Sequence, residues 1–184
     1  MPFSTPGKIL QEKDFCATHA HMTVEITPKR PSAELDHIDR SILRMIQRDA
    51  TLSLAEIAQE VGLTPTPCWK RIRRMEQSGV ITARVALVAP AMVGLDVSVF
   101  VAIETGDHSE AWIDRFAQIV AKRPEVIACW RLGGDVDYLL HVMVPDMAAF
   151  DGFYRRLTAE VPSLRKVTSR FAMERVKDTT ALPI

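Results

Sequence analysis

The sequence predicts an α+β chain of two domains, a helix-turn-helix unit followed by a βαββαβ unit, on three observations. Between Ser53 and Gly79 two short helical patterns flank a glycine turn, and the second is strongly basic. From Val97 onward, period-two segments alternate with period-3.6 segments in the order strand, helix, strand, strand, helix, strand. Between the two domains lies Val80 to Val88, a β-rich run interrupted at Thr82 to Arg84 and closed by Pro90.

Asp36 caps the first amphipathic helix, in which Ile38, Ile42, Met45 and Ile46 form the stripe expected to be buried. Ser53 and Glu56 form a capping box that opens the next helix and satisfies two orphan backbone donors reciprocally. Leu54, Ile57, Ala58 and Val61 recur at i, i+3, i+4 and i+7, while Glu56, Gln59 and Glu60 face water. Gly62 follows, where positive φ lets the chain turn sharply.

The third helix opens at Thr64, a suitable N-cap, with Pro65 at its first position, where a missing N–H costs nothing. On a helical wheel Cys68, Ile72 and Met75 share one narrow apolar arc. Trp69, Lys70, Arg73 and Arg74 spread over the opposite side. Such a helix fits a major groove about 12 Å wide, with Lys and Arg meeting phosphates or guanine edges. A charge run usually only solvates a surface helix; the capping box, the Ala58 and Gly62 spacing and the short turn weigh against that here. The candidate DNA-binding residues are Thr64, Thr66, Trp69, Lys70, Arg73 and Arg74. Arg84 is a weaker candidate for the DNA backbone, since a solvated strand edge accounts for it better.

The 23 basic and 23 acidic residues cancel, so affinity for double-stranded DNA must come from local placement of charge. One recognition helix binds weakly and with strong salt dependence, whereas a homodimer presents two to half-sites about 34 Å apart. Avidity then favours oligomerisation.

In the second domain Val97, Val99, Val101 and Ile103 line one strand face. Trp112, Phe116, Ile119 and Val120 stripe a helix over 109–122. Strands at Val126 to Leu132 and Asp137 to Val144 are joined at Gly133-Gly134. Asp146 caps a helix with Phe150, Phe153, Tyr154 and Leu157 inward, Pro162 ends it, and residues 165–176 return as a strand. That order gives an antiparallel sheet with both helices on one face, the ferredoxin-like arrangement. The other face needs a partner, and Phe100, Leu139, His141 and Met143, or the alternate set, are expected to pack against a second subunit. His141 reads as an interface histidine rather than a ligand or catalyst.

The segment Gly133-Gly134-Asp135-Val136-Asp137 combines accessible backbone N–H groups with two carboxylates. Successive amides can hold an α-carboxylate, and Asp135 or Asp137 can pair with an α-ammonium. By residue type alone an ordinary hairpin turn is the favoured reading, since Gly and Asp are common turn residues.

The 184 residues suit two modest domains, and no apolar run approaches the length that spans a bilayer, so no membrane partner is expected. Cys16, Cys68 and Cys129 are odd in number and lack metal-ligand spacing, which argues against a disulfide framework. Residues 1–34 carry breakers and no sustained period, and read as a flexible extension without a signal-peptide pattern. Cys16, His19 and His21 within it are not expected to hold a metal. The expected organisation is this extension, a helix-turn-helix domain over 35–79, a linker over 80–95, the sheet domain over 96–177 and a C-terminal tail over 178–184.

Leu-Asp-x-x-Asp-Arg-x-Ile-Leu at 35–43, Ala-Glu-Ile-Ala at 55–58, Val-Gly-Leu-Thr-Pro-Thr-Pro-Cys-Trp-Lys-Arg-Ile at 61–72 and Glu-x-x-Gly-Val-Ile at 76–81 resemble the Lrp/AsnC transcriptional regulators. Gly134-Asp-Val-Asp137-Tyr-Leu-Leu, Val-Pro-Asp-Met at 144–147 and Phe-Ala-Met-Glu-Arg-Val-Lys at 171–177 resemble that family's effector-binding half. The resemblance covers about 150 residues in order. It implies a winged-type helix-turn-helix domain, a sheet domain of the RAM type, and homodimers assembling into a higher oligomer such as an octamer. It also implies a cytoplasmic, nucleoid-associated location. Because family members usually start near the Leu-Asp motif, Met22 is a candidate initiator.

The resemblance further implies that a small amino acid is enclosed between adjacent dimers, here by Gly133, Gly134, Asp135, Asp137, Met147, Arg170, Phe171 and Ala172. Arg170 departs from the apolar or aromatic residue often found there. Thr-Pro-Cys-Trp-Lys-Arg and the terminal Thr-Thr-Ala-Leu-Pro-Ile resemble a branch associated with cysteine detoxification, which makes L-cysteine the first effector candidate. Sirohaem decarboxylases are similar in architecture, and an architectural DNA-binding protein without effector is a further alternative. The intact cationic helix favours regulation. No nucleophile–base constellation or phosphate-binding glycine motif is evident, so neither catalytic residues nor a cofactor are expected.

Overall fold

The computed structural model describes residues 34–184. The expected extension, with Cys16, His19, His21 and Met22, lies outside the described residues except for Glu34. Residues 34–87 together with 175–184 form one compact unit, and residues 88–174 form another.

In the first unit α1 (His37–Arg48) begins at a reciprocal cap. The Asp36 carboxylate accepts from Asp39 N at 2.8 Å, and Asp39 Oδ2 accepts from Asp36 N at 3.2 Å. Helix α2 (Leu54–Glu60) begins the same way, with Ser53 N donating to Glu56 Oε2 at 2.7 Å and Glu56 N to Ser53 Oγ at 3.3 Å. Gly62 at φ +69° turns the chain into α3 (Pro65–Gln77), a conformation that a side chain would strain. Ile42, Leu43, Ile46, Ile57, Ala58, Cys68, Ile72 and Met75 form the core. The buried stripe of α1 therefore includes Leu43, while Ile38 and Met45 are only half-buried. Asp39, one turn before Leu43, fills the seam with α3 and carries Leu43 inward with it.

The β-rich run at 80–88 forms no strand. A strand needs a neighbour to satisfy its backbone groups, and none of the described residues supplies one. Val85 and Leu87 accordingly stand 69% and 75% exposed. A 3-10 turn follows at Pro90–Val93.

The second unit runs β1 (Val97–Thr105), α4 (Glu110–Ala121), β2 (Val126–Arg131), β3 (Tyr138–Val144), α5 (Met147–Glu160) and β4 (Leu164–Phe171). The sheet order is β2-β3-β1-β4, with every neighbouring pair antiparallel. This is the βαββαβ arrangement read from the sequence. Ser109 and Asp146 cap the two helices through their side chains. Val99, Val101 and Ile103 of β1 and Tyr138, Leu140, Val142 and Val144 of β3 pack against Trp112, Phe116, Val120, Phe150, Phe153 and Leu157. Both helices thus cover one sheet face, and Trp112 is fixed there by Nε1 donating to Pro162 O at 2.8 Å.

Alternation places Phe100, Leu139, His141 and Met143 on the face away from the helices. There His141 stacks on Phe100 at 4.6 Å, and its Nε2 lies 2.7 Å from Ser98 Oγ. Strand β4 stops at Phe171 and not near residue 176, because β1 supplies partners only to this point: Phe171 faces Val99, and Ala172 N makes a last bond to Ser98 O at 2.9 Å.

Candidate functional site

The first candidate surface is the outer face of α3. Cys68, Ile72 and Met75 are buried beneath it, and Thr66, Trp69, Lys70, Arg73 and Arg74 are exposed. Thr64 is the N-cap but makes no side-chain cap bond, so its hydroxyl remains available at the helix start. Trp69 is 51% exposed, and the Arg73 guanidinium lies 5.9 Å from its ring centroid.

The arginines of α3 divide into two groups. Arg73 Nη1 reaches Glu76 at 3.3 Å, and the other Glu76 oxygen accepts from Arg84 at 3.2 Å, so Glu76 bridges two exposed cations. Arg71 reaches Asp36 at 2.6 Å and Asp39 at 2.9 Å, while Arg74 is held by the second oxygen of Asp39. Asp39 is fully buried. Arg74 is thus drawn toward α1, whereas Lys70 makes no ion pair among the described residues.

Asp39 and Arg71 were not legible as site residues from charge pattern alone. The signal for them is the i, i+3 spacing of Asp36 and Asp39, which puts two carboxylates at one helix start facing a basic helix. The Asp39 backbone N–H, followed by the Arg71 guanidinium, lowers the Asp36 carboxyl from its ordinary 3.8 to about 2. The same carboxylates raise Arg71, Asp36 foremost.

The second candidate surface lies in the sheet unit. Gly133, Gly134 and Asp135 are exposed in the loop between β2 and β3, with Gly134 at φ +136°. Asp137 is engaged instead in closing the loop. Its N donates to Ile103 O at 3.0 Å, Oδ2 accepts from Thr105 N at 2.8 Å, and Oδ1 lies 3.8 Å from His108 Nδ1.

Met147, exposed at the start of α5, and Arg170, Phe171 and Ala172 sit at the other end of the sheet. From Val99, opposite Phe171, to Ile103, which accepts from Asp137, is roughly 13 Å along β1 at about 3.3 Å per residue. One chain therefore does not bring the two halves together. Phe171 meets Phe150 edge-on at 5.2 Å, and Arg170 stands opposite Phe100 on the uncovered face.

A basic recognition helix on an apolar seat, joined in one chain to a ferredoxin-like sheet unit, defines a DNA-binding regulator with a separate ligand-binding domain. Residues 35–82 match the family model for winged helix-turn-helix DNA-binding, and residues 98–182 match that for the Lrp/AsnC ligand binding domain. The chain belongs to the Lrp/AsnC family of transcriptional regulators. It is 50% identical over 150 residues to the DNA-binding transcriptional activator DecR of Escherichia coli, covering 82% of this chain and 99% of that one. An AsnC family transcriptional regulator from Agrobacterium tumefaciens has a solved structure similar to this one at 53% identity. Its TM-score is 0.77, over 80% of this chain and 96% of that chain. A transcriptional regulator from Neisseria meningitidis, solved as a complex with L-methionine, is similar at 32% identity and TM-score 0.77, over 82% and 97%.

Proposed function

We propose that the protein acts as a homodimer or higher oligomer, such as an octamer, that places two α3 helices in successive major grooves of double-stranded DNA and responds to a small amino acid. The observation that carries the DNA reading is the separation of faces on α3: Cys68, Ile72 and Met75 seat the helix, and Thr64, Thr66, Trp69, Lys70 and Arg73 stand clear of its core. Lys70 and Arg73 supply phosphate or guanine contacts, and Trp69 and Thr66 supply apolar and hydroxyl contacts near base edges. Arg74 acts chiefly from behind, through Asp39.

For the effector, the reading rests on the separation of the two half-sites within a chain. The Gly133–Asp137 loop of one dimer meets Met147 and Arg170–Ala172 of another, so that a ligand between them stabilises assembly. Loop amides hold the α-carboxylate and Asp135, the exposed carboxylate, pairs with the α-ammonium. L-Cysteine is the first candidate, from the resemblance of Thr-Pro-Cys-Trp-Lys-Arg to the cysteine-detoxification branch. L-Methionine, bound by the Neisseria relative, is the natural comparison.

Fluorescence anisotropy with promoter fragments from the protein's own chromosome, across a salt series, tests the first part. Failure to bind even at low ionic strength refutes it. Thermal shift and sedimentation with each amino acid test the second, with stabilisation and a change of assembly expected together.

A further inference from the structure

We propose that residues 179–184 are a clamp on α1, seated in a backbone-reading groove of the DNA-binding unit, and that their docking sets the affinity for DNA. The segment belongs to the compact unit of the three helices and not to the sheet unit that precedes it in sequence. Its attachment is specific. Gln47 Oε1 accepts from Leu182 N at 2.7 Å and Gln47 Nε2 approaches Leu182 O at 3.5 Å, so one amide side chain meets both polar groups of one peptide residue. A neighbouring strand makes the same double contact. Pro183 favours this geometry, because a residue before proline is held extended and presents N–H and C=O to the same side.

Arg44 Nη1 donates to Ile184 O at 3.1 Å. The Ile184 side chain packs on the helical core, whereas that of Leu182 is 67% exposed. The groove therefore reads two features, the backbone of Leu182 and an apolar side chain two residues on. The cavity beside it is lined by Leu35, Leu43, Ile46 and the stretch 80–87, with Thr180, Leu182 and Ile184 of the segment itself.

Helix α1 makes this docking consequential. Its second half carries Arg44 and Gln47, which hold the segment, and its first turn carries Asp39, which holds Arg71 and Arg74 of α3. A single rigid helix thus links the clamp to the recognition helix. Release of the segment removes Ile184 from the helical core and the Arg44 and Gln47 bonds from α1, which loosens α1 and withdraws support from the surface that meets DNA.

The test uses the full chain, a Gln47→Ala variant, a truncation lacking 180–184, and the two combined. Readouts are hydrogen exchange and binding to a mixed-sequence DNA duplex at low ionic strength. Both single changes are expected to raise exchange over 43–48 and to weaken DNA binding several-fold, about tenfold for the truncation, with exchange over 97–171 unchanged. The double variant is expected to be no worse than the truncation, because both remove one interaction. Should the truncation unfold the helical unit, Ile184→Ser replaces it in the same cycle. The proposal is overturned if truncation leaves exchange and affinity unaltered, or if Gln47→Ala is as harmful without the segment as with it.

Discussion

Replacing Asp39 with Asn probes the seam between α1 and α3. Three donors converge on its fully buried carboxylate: Arg71 at 2.9 Å, Arg74, and Asp36 N at 3.2 Å. Asn keeps one acceptor oxygen of similar shape and loses the charge. A hydrogen bond to a charged group contributes about 1.5–3 kcal/mol net, which makes the gross loss for the two arginine contacts about 3–6 kcal/mol. Several effects reduce it. Arg71 retains Asp36, Arg74 is 51% exposed and rehydrates on release, and the carboxylate no longer has to be desolvated. A net destabilisation of about 2 kcal/mol remains, and for a domain of this size that lowers Tm by about 10 °C. Urea unfolding with hydrogen exchange read over 37–77 assigns the transition to the helical unit. A loss below about 0.5 kcal/mol, within the range of an ordinary surface substitution, would refute the assignment of Asp39 as the tie between the helices.

The two cations of α3 should part company. Lys70→Ala is expected to lower the slope of log affinity against log salt by about one without changing Tm, whereas Arg74→Ala lowers Tm through Asp39 and changes the slope less; anisotropy titrations paired with melting curves show which. The Asp36 carboxyl lies lower in the folded protein than its ordinary 3.8, at about 2. Its contribution is therefore fully present above pH 3.8 and is lost as pH falls from there toward 2; urea midpoints across that window should flatten in Asp36→Asn. Burial raises both the Cys68 thiol and the Cys129 thiol, the latter to about 11, so in a Cys16→Ser background a thiol reagent at pH 8 should label the native protein only slowly and label it fully in urea. Arg123 is 8% exposed, and its Nε and Nη2 lack well-aligned acceptors although Nη2 lies 3.0 Å from Glu160. Arg123→Met is expected to be neutral or stabilising by about 1 kcal/mol in chemical denaturation, since an apolar replacement removes the desolvation of a poorly bonded charge.

Elements that satisfy themselves locally were the most legible in the sequence. Asp36 with Asp39 and Ser53 with Glu56 cap their helices within one turn, and the alternation of Val97 to Ile103 sets one sheet face whatever lies elsewhere. The apolar arc of α3 was legible for the same reason. Features that depend on a distant partner were less so. Val80 to Val88 has the composition of a strand but lacks a neighbour among the described residues, and β4 ends where β1 ceases to pair with it. The retreat of Arg74 toward Asp39 depends on how α1 crosses α3, which a single helical wheel cannot supply. Residues 179–184 carry no periodicity at all, and their place against Gln47 is set by contacts across 135 positions.

The division of the candidate effector residues between opposite ends of one sheet constrains how a signal can arise. A pocket built wholly inside one chain binds its ligand with the same contacts in every assembly state, and such a ligand shifts no equilibrium between them. A pocket assembled from the Gly133–Asp137 loop of one subunit and the Met147 and Arg170–Ala172 region of another exists only in the assembled state, so its whole binding free energy favours that state. The proposed regulation thus depends on incompleteness within the chain. Arg170→Ala tests this sharply: loss of ligand binding with assembly retained places Arg170 within the pocket, whereas loss of assembly with no ligand present places it in the subunit contact beside Phe100. Equal ligand affinity in isolated dimers and in higher oligomers would remove the basis for this mechanism, because no differential affinity would remain to move the protein between them.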